Sequence, residues 1–468
     1  MKIQSKLTKN LSISVLAQIV SLLVGFIINL IVPKFIDEIH YAYWQTYVLY
    51  VGYVGIMHFG ILDGIVLRYS KYDYHELDKS RVRSQFQILL FFNTVFSSIT
   101  IIVSAIIFNM PLEIIIALVA VGIITKNAFT YSSYTFQITN RINRYALLTI
   151  IHRVCYGVLV LIFLILGVKN FIWFCVADLL SDVFAIIFAM AINKGLYFGK
   201  SLSIKETFKE AKINVSSGVL LLVANWSAIL IVGMAKTIIQ FRWDTLVFSK
   251  VSFAFSVSNL FLTFVTAVSV VLFPTLKRMK EEELPTLYVK IRNVISPLLF
   301  GALLFYFPGS YILKLWLPKY VESLKYLGII LPLIVYSSKV TLLTNTYLKA
   351  YRKEKLMFLI NVFSAILGVL LFSISAYVIN SLSVVLFSII LTVMINSIVS
   401  EIVVLKTIKQ NVFKEFIYEA LLAIAFILLT QLFSLLIAGL LFLAIYLIYL
   451  MVNYQTRTLI INKLFRRK

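Results

Sequence analysis

The chain has 468 residues, of which 61% are hydrophobic and 13% are charged, and its mean hydropathy is +0.96. Soluble domains are roughly 45–50% apolar and about 25% charged, so this composition excludes a water-soluble globular enzyme. The formal net charge is +23, which in a soluble chain would suggest a nucleic-acid partner. In a membrane protein such an excess is expected in the cytoplasmic loops, where anionic lipid attracts it, and we expect no nucleic-acid partner.

Apolar runs of about 20 residues, the length that crosses the hydrocarbon core of a bilayer, recur along the whole sequence. They predict an all-α polytopic membrane protein with about 14 transmembrane helices. The first run is too long for a signal-peptide core and is expected to be retained. Only Ala438-Gly439 offers a turn between the last two runs, so thirteen spans stay open. The predicted spans are residues 11–32, 43–66, 85–108, 113–136, 146–168, 171–193, 213–235, 246–274, 291–312, 326–348, 356–378, 382–405, 416–436 and 438–454.

The distribution of basic residues predicts the orientation. With a cytoplasmic N-terminus, and with Arg292 counted at the inner boundary of span nine, 32 of the 43 Lys and Arg fall in inner segments, 7 fall in outer loops and 4 lie within spans. This asymmetry follows the positive-inside rule. It predicts an even number of spans, with both termini in the cytoplasm.

The two halves of the chain resemble each other. Spans four and ten each carry a lysine near the middle, Lys126 and Lys339, and each is followed by a basic loop. Repeats of this kind are a common transporter plan, and they predict two six-helix lobes around a central cavity. The expected divisions are an N-terminal lobe in residues 1–193, a cytoplasmic linker with a short amphipathic helix in 194–212, a C-terminal lobe in 213–408, and two extra helices with a basic tail in 409–468.

Neither a metal site nor a disulfide is expected. Cys155 and Cys175 both lie inside apolar runs, and the four histidines are scattered without ligand spacing. We therefore expect no resident cofactor.

Ionisable residues inside spans are costly and are functional candidates by default. The two mid-membrane lysines, one in each half, favour an anionic substrate such as a pyrophosphate, because charges interact strongly in a medium of low permittivity. Arg153 in span five can add bidentate phosphate contacts, and Lys250 in span eight is the fourth basic candidate. The alternatives are structural ion pairs, for instance between Arg153 and Asp178, and for Lys250 a side chain that extends to the outer surface.

Two acidic residues of span six form a second candidate site. Asp178 and Asp182 are four residues apart and share one face of a helix, so their mutual repulsion favours protonation of one of them. This arrangement favours coupling to a proton or sodium gradient. The alternative is that they neutralise Arg153 or a lysine. Glu401, near the inner end of span twelve, is expected to be a boundary residue only.

Several short strings resemble those of a known family. Span two contains Trp44-Gln45-Thr46-Tyr47 and then His58-Phe59-Gly60-Ile61-Leu62-Asp63-Gly64-Ile65-x-x-Arg68-Tyr69. Span eight ends in Leu272-Phe273-Pro274-x-Leu276-Lys277-Arg278. Span nine is followed by Leu315-Trp316-Leu317-Pro318-Lys319-Tyr320, and span ten opens with Leu331-Pro332. These strings resemble the bacterial polysaccharide biosynthesis proteins, which are O-antigen and capsule repeat-unit flippases of the multidrug/oligosaccharidyl-lipid/polysaccharide exporter superfamily.

The resemblance implies a flippase, not an enzyme. Its substrate would be an undecaprenyl-diphosphate-linked oligosaccharide, moved from the inner to the outer leaflet of the bacterial plasma membrane by alternating access. Membrane lipid, a polysaccharide polymerase and glycosyltransferases are the partners that it implies. Asp63 and Arg68 match the span-two string and are expected to belong to an inner gate. The resemblance does not extend to Lys126, Arg153, Lys250 and Lys339, which are candidates because they are basic residues inside predicted spans.

Three other functions compete with this one. A drug/cation antiporter of the same superfamily would require an anionic cavity, and a membrane-embedded polymerase or glycosyltransferase would require a larger outer loop than this chain has. A scaffold for other polysaccharide enzymes would tolerate loss of the intramembrane charges. Peptidoglycan-precursor flippases carry arginines in span one, whereas here no ionisable residue lies between Lys9 and Lys34, which argues against that branch.

Overall fold

The computed structural model describes residues 13, 16–276, 284–410 and 413–465, and these residues form helices with no strand. Eleven of the helices are long and apolar enough to cross a membrane, and the number rises to 14 when each of three bent pairs is taken as one span. The prediction of an all-α polytopic membrane protein with about 14 spans is therefore confirmed.

Fourteen helical elements, named here α1 to α14, correspond to these spans. The first seven are α1 (Leu16–Phe35), α2 (Glu38–His58 and Ile61–Tyr69), α3 (Lys79–Ile107), α4 (Leu112–Ile138), α5 (Ile142–Ile165), α6 (Phe171–Ile192) and α7 (Ile204–Arg242). The other seven are α8 (Thr245–Leu276), α9 (Leu284–Trp316), α10 (Pro318–Ile330 and Pro332–Ala350), α11 (Glu354–Val378), α12 (Leu382–Ile408), α13 (Phe413–Leu432) and α14 (Leu435–Phe465).

Two of the bends have clear local causes. The two parts of α2 meet at 58°, and the break contains Phe59 and Gly60 in the left-handed region with φ of 50° and 83°. The two parts of α10 meet at 43° immediately before Pro332. A proline inside a helix lacks the amide hydrogen and collides with the preceding turn, so the helix bends there.

The chain divides into two compact units. Unit 1 comprises Met1–Ile229 and Asp244–Ser249, and unit 2 comprises Leu230–Trp243 and Lys250–Lys468. The division thus falls within α7, and α13 and α14 belong to unit 2. The residues expected to form a separate short amphipathic helix in a linker are instead the first turns of α7, because no proline interrupts the chain between Ile204 and the bend after Ser227.

The turns that follow α4 and α10 have the same form. After α4, Asn140 has a φ of 53° and the Arg141 amide donates to the carbonyl of Phe136 at 2.9 Å. After α10, Arg352 has a φ of 52° and the amide of the next residue, Lys353, donates to a carbonyl five residues before it at 2.7 Å. A left-handed residue with such a bond is a common helix ending. The structural match agrees with the sequence echo between spans four and ten.

Within unit 1, α2 and the first part of α7 approach closely through small residues. A Cβ added to Gly64 would overlap the backbone carbonyl of Asn214, and one added to Gly218 would overlap the backbone of Gly60 and Gly64. Small residues of this kind allow membrane helices to touch backbone to backbone. The second part of α2 is therefore fixed directly against α7.

We expect Gly64→Ala to destabilise the protein by about 1–3 kcal/mol, the usual cost of inserting a methyl group where no space exists. Gly55→Ala is the matched control, because a Cβ there would meet nothing within 4 Å. Thermal unfolding of the two purified variants in detergent compares them. Equal unfolding temperatures for Gly64→Ala and the control would contradict the close contact.

Candidate functional site

The middle of unit 1 contains a group of ionisable side chains, named here the N-terminal cluster: Lys126 of α4, His152 of α5, and Asp178 and Asp182 of α6. The Lys126 ammonium lies 2.8 Å from a carboxylate oxygen of Asp178 and 2.8 Å from one of Asp182. His152 Nε2 lies 3.0 Å from the other oxygen of Asp182. One lysine thus holds both carboxylates of α6.

Two hydroxyl groups complete the N-terminal cluster. Tyr47 of α2 donates to Asp178 at 2.9 Å, and Thr125 of α4 donates to Asp182 at 3.1 Å. The helical repeat explains this convergence, because residues four apart on α6 face the same neighbour. Four helices of unit 1 therefore meet at these two carboxylates.

The charges of the N-terminal cluster do not balance when His152 is neutral, because two carboxylates face one ammonium. The side chains are also graded in exposure: Lys126 is 21% exposed, Asp178 is 14% exposed and Asp182 is fully buried. The predicted ion-coupling role of Asp178 and Asp182 stays a prediction, and the geometry shows a partly accessible acidic pair beside one lysine.

Unit 2 contains a second group, named here the C-terminal cluster: Arg292 of α9, Lys339 of α10, Glu401 of α12 and Glu419 of α13. Lys339 Nζ lies 2.7 Å from Glu401 and 2.5 Å from Glu419. Arg292 binds Glu401 through Nε and Glu419 through Nη2, the latter at 3.0 Å. The four charges alternate in a closed ring and sum to zero.

The C-terminal cluster is sealed, since none of its four side chains is more than 2% exposed. The ring of Phe416 lies 5.6 Å from the Arg292 guanidinium and 5.7 Å from the Lys339 ammonium. A pyrophosphate could reach Lys339 only by displacing a carboxylate. In this arrangement the cluster joins four helices of unit 2, including one of the two extra C-terminal helices.

The other predicted basic residues lie elsewhere. Lys250 is paired with Glu322 at 2.6 Å within unit 2. Arg153 is exposed on α5, and the structure pairs Asp178 with Lys126 instead of with Arg153. The structure therefore brings together Lys126, Asp178 and Asp182 in the N-terminal cluster, and Arg153 is not part of it. Lys250 likewise does not belong to the C-terminal cluster, which contains Lys339.

The span-two residues that match the family string are both engaged within unit 1. Arg68 binds Glu210 of α7 at 2.6 Å and Asn214 at 2.5 Å. The neighbouring Tyr69 hydroxyl also donates to Glu210. Asp63 is buried, with its carboxylate 3.8 Å from His58 Nε2. Arg68 therefore links the end of α2 to α7, which is the kind of contact that a gate residue makes. The carboxylate of Asp63 instead faces His58, another residue of α2.

Sequence reasoning missed several residues of the two clusters. Arg292 and Glu419 lie near the predicted inner ends of their spans, where charged residues usually mark a boundary, and Glu401 is buried in the C-terminal cluster, so the expectation of a mere boundary residue is wrong. In the structure α9 begins at Leu284, which places Arg292 two turns inside the helix instead of at its end. His152 gave no signal beyond its position within an apolar span.

Among the residues that the structure describes, no three His, Cys, Asp or Glu side chains are arranged to hold a metal ion. The described parts of the two clusters each contain a lysine within bonding distance of both carboxylates. They are thus ion-pair networks in this structure.

No family model matches the sequence, and the comparison with curated proteins gave no match. Solved structures do match. "Lipid II flippase MurJ, inward closed conformation" is similar with a TM-score of 0.67 and 15% identity over 95% of this chain and 99% of that chain. An inward-facing "multidrug resistance MATE family transporter of the MOP superfamily" is similar with a TM-score of 0.61 and 12% identity over 84% of this chain and 98% of that chain. An outward-facing structure described in the same words has a TM-score of 0.58 and 13% identity over 86% and 96%. The chain therefore has the fold that these membrane transporters share.

We expect Lys339→Met to lower the free energy of unfolding by about 3–5 kcal/mol, because it leaves two buried carboxylates facing one arginine. Adding Glu419→Gln restores neutrality and should recover part of the loss. Lys126→Met should cost less, since that side chain is 21% exposed. Thermal unfolding in detergent gives the order, and a double variant less stable than Lys339→Met would contradict the sealed ring.

Proposed function

We propose that the protein is a flippase that moves an undecaprenyl-diphosphate-linked oligosaccharide from the inner to the outer leaflet of the bacterial plasma membrane, for export of capsule, O-antigen or another cell-wall polysaccharide. The observation that carries the proposal is the extent of the structural likeness. It covers 95% of this chain for the lipid II flippase and 84–86% for the two MATE transporters. The span-two and span-eight strings point to the same class of substrate.

The physical task suits a helical bundle without a catalytic centre. A pyrophosphate with several sugars cannot cross hydrocarbon unaided, because burying unpaired charge costs many kcal/mol. A polar path between helices replaces the lost hydration while the polyprenyl chain stays in lipid. No covalent step is required, so the proposal is a transporter and not an enzyme.

The proposed contacts to the pyrophosphate are Lys126, Arg153, Lys250 and Lys339. Of these, Arg153 is exposed, and the Lys126 and Lys250 side chains are 21% and 20% exposed. Lys339 is 1% exposed, so it can contribute only in a state in which the C-terminal cluster opens. Lys126, which belongs to the N-terminal cluster, and Arg153, which is exposed, are the first residues to test.

The proposed ion coupling uses Asp178 and Asp182. Protonation of Asp178, or binding of sodium beside it, would weaken its bond to Lys126 and change the balance of charge among α2, α4 and α6. Lys126 would then be held by Asp182 alone, and the cluster would no longer carry an excess of negative charge that repels an anionic head group. This sequence links the coupling ion to the substrate through one side chain.

A drug/cation antiporter is the second candidate. The specific observation in its favour is that the N-terminal cluster holds two carboxylates against one lysine, a balance that suits an organic cation better than a pyrophosphate. Both termini are proposed to lie in the cytoplasm under either function. A polysaccharide polymerase and glycosyltransferases are proposed partners only of the flippase.

The first experiment is a leaflet-exchange assay in proteoliposomes. A fluorescent undecaprenyl-diphosphate oligosaccharide is reconstituted with the protein, and dithionite quenching reports its movement. We expect exchange with the intact protein, and about tenfold or greater slowing in Lys126→Gln and Arg153→Gln, which corresponds to roughly 1.4 kcal/mol or more for each lost phosphate contact.

Lys169→Gln is the control, because it removes one exposed lysine from the connection after α5. A folded protein that moves none of several lipid-linked glycans but takes up ethidium would be a drug/cation antiporter and not a flippase. Exchange that is normal in Lys126→Gln and Arg153→Gln would remove both residues from the substrate site.

The coupling residues are tested in the same vesicles. We expect exchange by the intact protein to respond to an imposed proton or sodium gradient, and we expect Asp178→Asn/Asp182→Asn to lose that response. Glu113→Gln, at the start of α4, is the control because it lies outside the N-terminal cluster. Exchange that ignores both gradients in the intact protein would contradict the coupling role.

A further inference from the structure

Three segments of unit 1 line an open surface cavity of about 400 Å³. They are the connection between α2 and α3, the turn between α4 and α5, and the end of α6. Its volume falls within the range of about 300–1,000 Å³ that is usual for small-molecule sites, and it shares no lining residue with the N-terminal cluster. The polar side chains that line it include Asp73, Tyr74, His75, Asn140, Arg141 and Arg144.

The Arg141 side chain is fixed in place at this cavity. Its Nε donates to Thr139 Oγ1 at 3.2 Å and its Nη2 donates to Asn193 Oδ1. Its guanidinium carbon lies 4.0 Å from the centre of the Tyr74 ring, and the Lys79 ammonium lies 4.8 Å from the same centre. A guanidinium has five N–H groups, so these two bonds leave three for a ligand.

The positive charge of this cavity is not neutralised by a bonded carboxylate. Among the described residues, Arg141 and Arg144 form no ion pair within 4.0 Å. Burial, together with the charge of Arg144, lowers the pKa of Arg141 to about 10. Asp73 is the one carboxylate among the lining residues, and two arginines therefore outnumber it.

Membrane topology alone does not account for this arrangement. The positive-inside rule explains why arginines occur in a connection that the charge pattern predicts to be cytoplasmic. It requires only that they carry charge in water. It does not require that Arg141 be half-buried, bound through two nitrogens and stacked on a tyrosine.

We propose that this cavity binds an oxyanion of the phosphate class, held between Arg141 and Arg144. Planar guanidinium groups match phosphate oxygens with paired hydrogen bonds, which gives both strength and orientation. The group could belong to an anionic phospholipid or to a free phosphate ester or diphosphate, because both present the same oxygens. The site requires neither flipping nor sugar and so extends beyond the function proposed above.

The free-phosphate arm uses the full chain in detergent with inorganic pyrophosphate as the probe. A ligand that binds only the folded state raises the unfolding temperature in a concentration-dependent way. We expect such a rise for the intact protein, and at least about tenfold weaker binding for Arg141→Gln/Arg144→Gln, since the variant loses the charge-assisted hydrogen bonds of both guanidinium groups.

The lipid arm uses nanodiscs and native mass spectrometry. The intact protein and the double variant are reconstituted with equal amounts of phosphatidylglycerol and phosphatidylcholine, and the lipid that each retains is counted. Preferential retention of phosphatidylglycerol that the double variant loses would assign the site to a phospholipid head group. Loss of pyrophosphate binding without any change in retained lipid would assign it to a free phosphate.

Two further variants make the test decisive. Arg352→Gln/Lys355→Gln removes the same charge from the turn after α10, which does not line this cavity, and should bind both probes as the intact protein does. Arg144→Glu alone keeps the bonds of Arg141 and remains informative if the double variant does not fold. The proposal fails if neither probe distinguishes the intact protein from these cavity variants, or if the control loses binding equally.

Discussion

A lysine in the middle of an apolar helix must be neutralised, because an isolated charge in a medium of low permittivity costs many kcal/mol. Each unit of this protein meets that requirement with a carboxylate from the helix two spans later. Lys126 of α4 is bound by Asp178 and Asp182 of α6, and Lys339 of α10 is bound by Glu401 of α12. The packing of these helices thus involves charge as well as apolar contact, and a lysine paired two helices later is a feature that the two units share.

The N-terminal and C-terminal clusters differ in how completely their charged side chains are buried. In unit 2, Arg292 and Glu419 add one positive and one negative charge, and the ring is neutral and at most 2% exposed. Such a ring resists change, since removing any partner leaves an uncompensated buried charge. Among the described residues of unit 1 no arginine joins the pair of aspartates, and Lys126 keeps 21% of its side chain exposed. The N-terminal network is therefore the more accessible of the two, and the C-terminal network is the more enclosed.

The sequence predicts the spans and the shared face of Asp178 and Asp182, but it does not predict which charged residues near span ends are buried. Hydropathy and charge asymmetry predict the spans, and helical spacing predicts that Asp178 and Asp182 share a face. The ends of spans are where these signals fail, because a charge near an end has the same pattern whether it faces water or a neighbouring helix. Arg292 and Glu419 are of this kind, and only the packing of α9 and α13 against α10 and α12 shows that they are buried. The sequence also does not predict that α7 is continuous, because an amphipathic start followed by an apolar run fits either one helix or two.

Within unit 1, α2 contacts both the N-terminal cluster and α7. Its first part carries Tyr47, which donates to Asp178 at 2.9 Å, and its second part carries Gly64 and Arg68, which are fixed against α7. The 58° bend between the two parts contains left-handed Phe59 and Gly60. The close backbone contact at Gly64 leaves the second part little room to slide along α7. One bent helix therefore joins the N-terminal cluster to α7, through a hydrogen bond in its first part and through small residues and an ion pair in its second.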